Sequence, residues 1–246
     1  MCIRDSGKGG VGKSTVATNI AVALSLLDEN ISVGLCDCDL YGPSIPLMFG
    51  QESARPTATD ENEIIPIESH GIKLMSMGFL LDDSSPVIVR GPLATRYTQQ
   101  FLTGCLWGDL DYLVLDLPPG TGDIQLTIAQ SVSVDGAVIV TTPQEMALID
   151  ARKAASMFAK VNVPILGIVE NMSYFLCPSD GEKYAIFGQG GGEKESARLG
   201  VPLIGQIPIE MQTREAGDSG NPIALGESET AKEFKNVAEK IIASLN

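Results

Sequence analysis

The strongest constraint on this chain sits near its start, where Gly7-Lys8-Gly9-Gly10-Val11-Gly12-Lys13-Ser14 satisfies the pattern G-x-x-x-x-G-K-[ST]. Glycines at these spacings let consecutive backbone N–H groups turn inward and form an anion nest at the positive end of the helix that follows. The expected occupant is a nucleoside triphosphate. Lys13 is expected to neutralise its β- and γ-phosphates, Ser14 to offer a hydroxyl to magnesium, and Thr15 to reach the α-phosphate. Gly7, Gly9 and Gly12 also satisfy the looser G-x-G-x-x-G of dinucleotide sites, with Asp37 in the place of a ribose-binding acid. The Lys13-Ser14 pair, a second aspartate at Asp39 and an apolar run closing on Asp116 favour the triphosphate.

Short apolar runs alternate with helical periodicities through the rest of the chain, which predicts an α/β fold: a mostly parallel sheet with helices on both faces. Residues 31–36, 72–77, 87–89, 112–117, 137–142, 165–169 and 202–206 read as strands, the first ending at Asp37, and 13–27, 93–106, 146–161 and 229–245 as helices. Residues 51–64 are rich in Asp, Glu and Thr and read as a mobile surface excursion. No internal repeat and no Pro- or Ser-rich linker divides the chain, so residues 1–246 are expected to form one domain. The closing helix carries Phe234, Val237, Ile241 and Leu245 at helical spacing. Its Lys232, Lys235 and Lys240 are interleaved with Glu229, Glu233 and Glu239, the pattern of a core-packing helix rather than of a basic membrane anchor.

Two acidic sites complete the expected chemistry. Residues 113–116 form an apolar strand ending in an acid, so that Asp116 is placed to hold magnesium through a water. Asp37 and Asp39 end the neighbouring strand of the expected sheet, at the edge where open α/β folds bind ligands. Asp39 is the candidate for orienting an attacking water and Asp37 for a place near the metal, although either carboxylate can instead cap a turn. Phosphoryl transfer depends mainly on positioning and charge neutralisation, so weakly basic carboxylates suffice.

Composition removes several other classes. An apolar share of 44% in 246 residues supports a sizeable core, and a formal charge of −14 opposes both a nucleic-acid surface and docking on anionic membranes. No apolar run approaches the roughly 18–20 residues of a membrane span, and the start lacks a secretory apolar segment, so a cytoplasmic location is expected. Cys2, Cys36, Cys38, Cys105 and Cys177 are an odd set without secreted-scaffold spacing, which predicts reduced thiols. The one histidine, His70, reads as a loop residue beside Gly71, which leaves little room for histidine-dependent catalysis.

Beyond the glycine loop, the chain carries Asp37-Cys38-Asp39-Leu40-Tyr41-Gly42-Pro43-Ser44, Arg90-Gly91-Pro92, Trp107-Gly108-Asp109-Leu110-Asp111-Tyr112, and Asp116-Leu117-Pro118-Pro119-Gly120-Thr121-Gly122-Asp123. Further on come Thr142-Pro143-Gln144, Glu170-Asn171-Met172-Ser173, Ile186-Phe187-Gly188 with Gly190-Gly191-Gly192, and Arg214-Glu215-Ala216-Gly217-Asp218. These segments cover almost the whole chain, and together they resemble the Mrp/ApbC family, the iron–sulfur cluster carrier ATPases of the MinD-like group. The resemblance implies a P-loop fold of the MinD and nitrogenase-iron-protein type, ATP and Mg²⁺ as ligands, and ATP hydrolysis coupled to carrying a cluster to apo iron–sulfur proteins or assembly factors. It also implies a homodimer, in which Lys8, the mark of the deviant Walker A form, touches the partner's nucleotide. Asn171 corresponds to the purine-contacting asparagine, and residues 118–123 to a switch that responds to the γ-phosphate. A MinD/ParA-like positioning or scaffold ATPase is the alternative, and a nitrogenase-like reductase fits less well because the cysteines are placed differently.

The sequence departs from that family in two places. Where relatives bridge a cluster between subunits with C-x-x-C, this chain reads Cys177-Pro178-Ser179-Asp180. One Cys per subunit supplies two thiolates across a two-fold axis, against the four a [4Fe–4S] cluster takes. Asp180 can add oxygen ligands to a labile cluster, or this branch carries none at that position. Cys36 and Cys38 read as strand packing. At the start, Arg4 and Asp5 suit a doubly buried central strand poorly, so residues 1–6 are expected to be a truncated or foreign beginning, and the small N-terminal domain that many relatives carry is not expected within this sequence.

Overall fold

The computed structural model describes residues 2–5, 10–80, 91–120 and 123–245. Strand β1 (Cys2–Asp5) leads to helix α1 (Lys13–Ser25), β2 (Val33–Asp37), the single turn α2 (Ile45–Met48), a hairpin of β3 (Thr57–Ala58) and β4 (Ile64–Ile65), then β5 (Ile67–Ser69) and β6 (Ile72–Ser76). Next come α3 (Gly91–Thr103), β7 (Tyr112–Asp116), α4 (Asp123–Ser131), β8 (Ala137–Thr141), α5 (Glu145–Lys160) and β9 (Ile165–Glu170). A hairpin of β10 (Phe175–Leu176) and β11 (Lys183–Tyr184) precedes α6 (Gly191–Leu199), β12 (Leu203–Gln206), α7 (Met211–Asp218) and α8 (Glu229–Leu245).

Eight strands form one sheet in the order β12-β9-β8-β1-β7-β2-β6-β5. Its pairings are parallel except that of the edge strand β5 with β6. Side chains alternate between faces with the period of two that a strand imposes. Val33, Leu35, Val138 and Val140 point into one apolar layer with α1 and α8, while Cys36, Leu115 and Phe101 pack in the layer beneath α3, α4 and α5. Ile139 meets Ala151 and Ala155 of α5. Helix α1 is buried from Val16 to Leu24 because α8 covers the side that the sheet does not. Phe234, Val237 and Ile241 of α8 are fully buried there, and at about 1.5–3 kcal/mol for each such side chain the packing accounts for the apolar stripe without a membrane.

The apolar strands end on polar residues at their carboxyl ends: Asp37 on β2, Ser76 on β6, Asp116 on β7, Thr141 on β8, Glu170 on β9 and Gln206 on β12. This edge positions the site. Strand β1 lies at the centre, its Ile3 registered with Asp116 of β7 and with Val138 of β8, even though Arg4 and Asp5 belong to it. The expected strand at 87–89 lies outside the described residues. Residues 51–64 are largely exposed as expected, yet they contain β3 and run into β4, and Ile64 is tied to the end of α3 by Ile64 N–H to Gly104 O at 2.9 Å and Leu106 N–H to Ile64 O at 2.7 Å.

Candidate functional site

The glycine loop opens at the centre of the carboxyl edge. Gly7, Lys8 and Gly9 lie outside the described residues, and the loop is seen from Gly10 onward. Gly12 caps α1 in the left-handed region at φ 80°, and a Cβ there would overlap the Asn171 side-chain amide. Glycine is therefore required twice at this position, for its backbone conformation and for the close approach of Asn171. Lys13 begins α1 and is buried to 7% exposure, with Ser14 and Thr15 half-buried beside it. The unpaired N–H groups of a first helical turn and the helix dipole favour an anion here.

Asp37 and Asp116 are register partners on adjacent strands, 1% and 0% exposed. Burial, and then the negative charge of Asp116, push the Asp37 carboxyl well above the ordinary carboxylate range. Two hard oxygen donors held together out of water fit a divalent cation, whose charge offsets both their burial and their repulsion. Asp37 is further fixed by donors to both oxygens: Asp39 N–H at 3.0 Å, Ser44 N–H at 3.2 Å, Ile45 N–H at 3.4 Å and the Ser76 hydroxyl at 2.9 Å. Asp39 is half-buried and accepts from the N–H groups of Tyr41 and Gly42, each at 3.3 Å. Both aspartates thus cap the turn after β2 in this structure while lying at the same edge as Gly12 and Lys13.

Asn171 follows the last residue of β9 and reaches back to the glycine loop, its Nδ2 donating to Val11 O at 2.8 Å. A cleft of about 310 Å³ opens beside it, lined by Gly12, Thr15, Asn171, Pro208, Glu210 and Arg214 among others. Pro208 and Glu210, on the approach to α7, belong to no sequence motif, and Arg214 falls in the 214–218 segment with no role that the sequence assigns. The signal for them is only that a proline and a short polar helix follow β12 at the carboxyl edge.

The Cys177 segment forms the loop between β10 and β11. Cys177 is half-buried, with its Sγ 3.0 Å from Ser179 Oγ, and Gly181 N–H donates to its carbonyl at 2.9 Å. Asp180 is held below its ordinary value by the Glu182 N–H, then by the Cys177 thiol and the Tyr184 hydroxyl. A cavity of about 530 Å³ lies alongside, bounded by Phe175, Leu176, Cys177, Pro178 and Met211. It shares Glu210 with the first cleft, so α7 and the segment before it separate the two. Cys36 and Cys38 are fully buried in the core, as their reading as strand packing requires, and burial pushes the nearby Cys105 thiol up to about 12. Among the described residues no group of three or more His, Cys, Asp and Glu side chains is placed to hold a metal within one chain. Also among them, no helix is long and apolar enough to cross a membrane.

Comparison with known proteins bears on the fold and the family. A curated iron-sulfur cluster carrier protein of Aquifex aeolicus is 51% identical over 237 residues, 95% of this chain and 65% of that protein. The chain therefore spans 65% of the length of this relative. Among solved structures, the nucleotide-binding protein of Archaeoglobus fulgidus in complex with ADP is 39% identical with a TM-score of 0.81, covering 95% of this chain and 90% of its own. The cell division ATPase MinD of Pyrococcus furiosus is 26% identical with a TM-score of 0.72, covering 98% of both chains. Residues 2–242 match the family described as ParA, NUBPL iron-transfer P-loop NTPase, and the chain belongs to that family.

Proposed function

We propose that this protein binds ATP with magnesium, hydrolyses it, and uses the cycle to carry an iron–sulfur cluster to apo-protein clients as a homodimer. The observation that carries the ATPase part is the buried Asp37–Asp116 pair at the carboxyl edge that also holds Gly12 and Lys13. Residues 7–15 form the phosphate cradle, with Lys13 against the β- and γ-phosphates and Thr15 toward the α-phosphate. Ser14, Asp37 and Asp116 hold the magnesium, which supplies charge neutralisation on the phosphates. Asp39 orients a water whose oxygen bonds to the γ-phosphorus as the bond to the β–γ bridging oxygen breaks and ADP leaves. Asn171 reads the purine through the amide that faces the cleft, since an amide both donates and accepts. Lys8 completes the partner's site across a two-fold axis, and residues 1–246 act as one ATPase domain.

The cluster is cargo rather than a resident cofactor. Cys177 offers one thiolate from each protomer, and Asp180 lies close enough to its thiol to add an oxygen ligand. Family membership and the 51% identity to a named carrier support this reading. Anaerobic reconstitution, followed by iron and sulfide analysis and transfer to an apo-ferredoxin, tests it. No iron retained by the wild type, or equal retention by Cys177→Ala, would remove the carrier role from this loop. The full-length likeness to MinD favours a second reading, a positioning ATPase. It requires ATP-dependent binding to liposomes or DNA, which a charge of −14 opposes.

A further inference from the structure

One buried acid of the carboxyl edge has no task in phosphate or metal binding. Glu170 ends β9 and is 1% exposed. Its Oε1 accepts from the Ser173 hydroxyl at 2.6 Å and from Gln206 Nε2 at 3.2 Å, and its Oε2 accepts from the backbone N–H of Gly192. Gln206 Nε2 also reaches Ser173 Oγ at 3.3 Å. One carboxylate therefore ties together the turn after β9, the end of β12 and the first turn of α6, where a negative charge is favoured by the helix dipole. A Cβ on Gly192 would come within 2.8 Å of Oε2, so the glycine is what admits the carboxylate.

The turn held in this way is the one that carries Asn171. It is pinned at Asn171 N–H to Thr141 O at 2.7 Å and at Ser173 N–H to Ile207 O at 2.9 Å. Between them Met172 sits at φ 53°, a left-handed conformation that L residues with a long side chain rarely adopt. The Glu170–Ser173 contact closes the turn over that residue. We propose that Glu170, through Ser173, is a positioning residue for base recognition: it holds the turn at 170–173 so that the Asn171 amide faces the purine. The inference rests on the nucleotide reading above and adds to it a residue that sets affinity for the base without touching the phosphates.

The two ends of the ligand separate under calorimetric titration of wild type, Glu170→Gln and Ser173→Ala with ADP, GDP and pyrophosphate. Glu170→Gln keeps the volume but places an amide N–H₂ among donors, and Ser173→Ala leaves the carboxylate with Gly192 and Gln206. Both variants are expected to bind ADP about tenfold more weakly, to lose part of the preference for ADP over GDP, and to bind pyrophosphate as the wild type does. Should Glu170→Gln fail to fold by circular dichroism, Ser173→Ala decides. ADP affinity unchanged in a folded variant, or ADP and pyrophosphate weakened by the same factor, overturns the positioning role. A wild type that binds ADP no better than pyrophosphate overturns the base-reading role of Asn171, and this inference with it.

Discussion

The glycine loop and the Cys177 loop are both short turns built around a few chemical groups, yet the fold holds them differently. The first lies between a central strand and the most deeply buried helix, with Asp37, Asp116 and Asn171 all below 10% exposure around it. The second joins two strands of two residues each, and Pro178, Ser179 and Asp180 are exposed. A buried site preorganises charge and excludes water, as phosphoryl transfer requires. An exposed loop can approach a second protein, as transfer of a cargo requires. The difference predicts that substitutions in the first turn alter both catalysis and stability, whereas those in the second alter cargo alone.

The largest expected effect tests the first half. Lys13→Ala should lower ATP turnover by about 10²–10³-fold or more, because it removes a fixed cation from a site where charge develops. Phosphate release measured beside Cys177→Ala checks it, with the cysteine variant within twofold of wild type. Comparable losses in both variants would mean that the two turns form one catalytic unit.

Asp116→Asn should separate function from stability. Folding raises the Asp37 pKa from its ordinary 3.8, so the protonated form favours the folded state. The metal-free protein therefore loses that stability as pH climbs from 3.8 toward the raised value. Replacing Asp116 removes the repulsion, which should raise the metal-free Tm above the carboxylate range by roughly 2–4 °C and flatten its pH dependence. Magnesium-dependent turnover should be lost in the same variant. A lower Tm at neutral pH would show that Asp116 stabilises the fold rather than straining it.

Much of the buried turn was legible in the sequence, because its signals are local. The spacing of Gly7, Gly12 and Lys13 and the apolar runs ending at Asp37 and Asp116 each fall within a few residues. The polar helices were not. Helix α7 contains no buried residue, and α6 buries Glu195 by pairing it with Arg152 of α5, whose Nε lies 3.0 and 2.8 Å from its two oxygens. Neither helix shows an apolar stripe to read. The Glu170 contacts were equally hidden, since Gly192 and Gln206 lie 22 and 36 residues away and nothing in a pattern names a partner at that distance. At the centre of the sheet Arg4 and Asp5, poor residues for a doubly buried strand, are held in β1 by pairing with Ile139 and Val140 of β8.

The smallest effect on the protein, and the sharpest test of the exposed turn, is Asp180→Cys. The carboxylate accepts from Glu182 N–H and from the Tyr184 hydroxyl, both at 2.9 Å, on a loop open to solvent. Losing those contacts should shift Tm by no more than about 2 °C, the usual scale for a surface substitution. Because Asp180 already meets the Cys177 thiol, a cysteine in its place brings two thiolates together in each protomer and, in the proposed homodimer, four across its two-fold axis. Iron and sulfide retained after anaerobic reconstitution should then rise above wild type, while ATP turnover stays within twofold. If Asp180→Cys retains no more iron than wild type although both thiols titrate as free, this loop is not where the cargo binds. The contrast between a buried engine and an exposed carrier would then have to be drawn elsewhere on the surface.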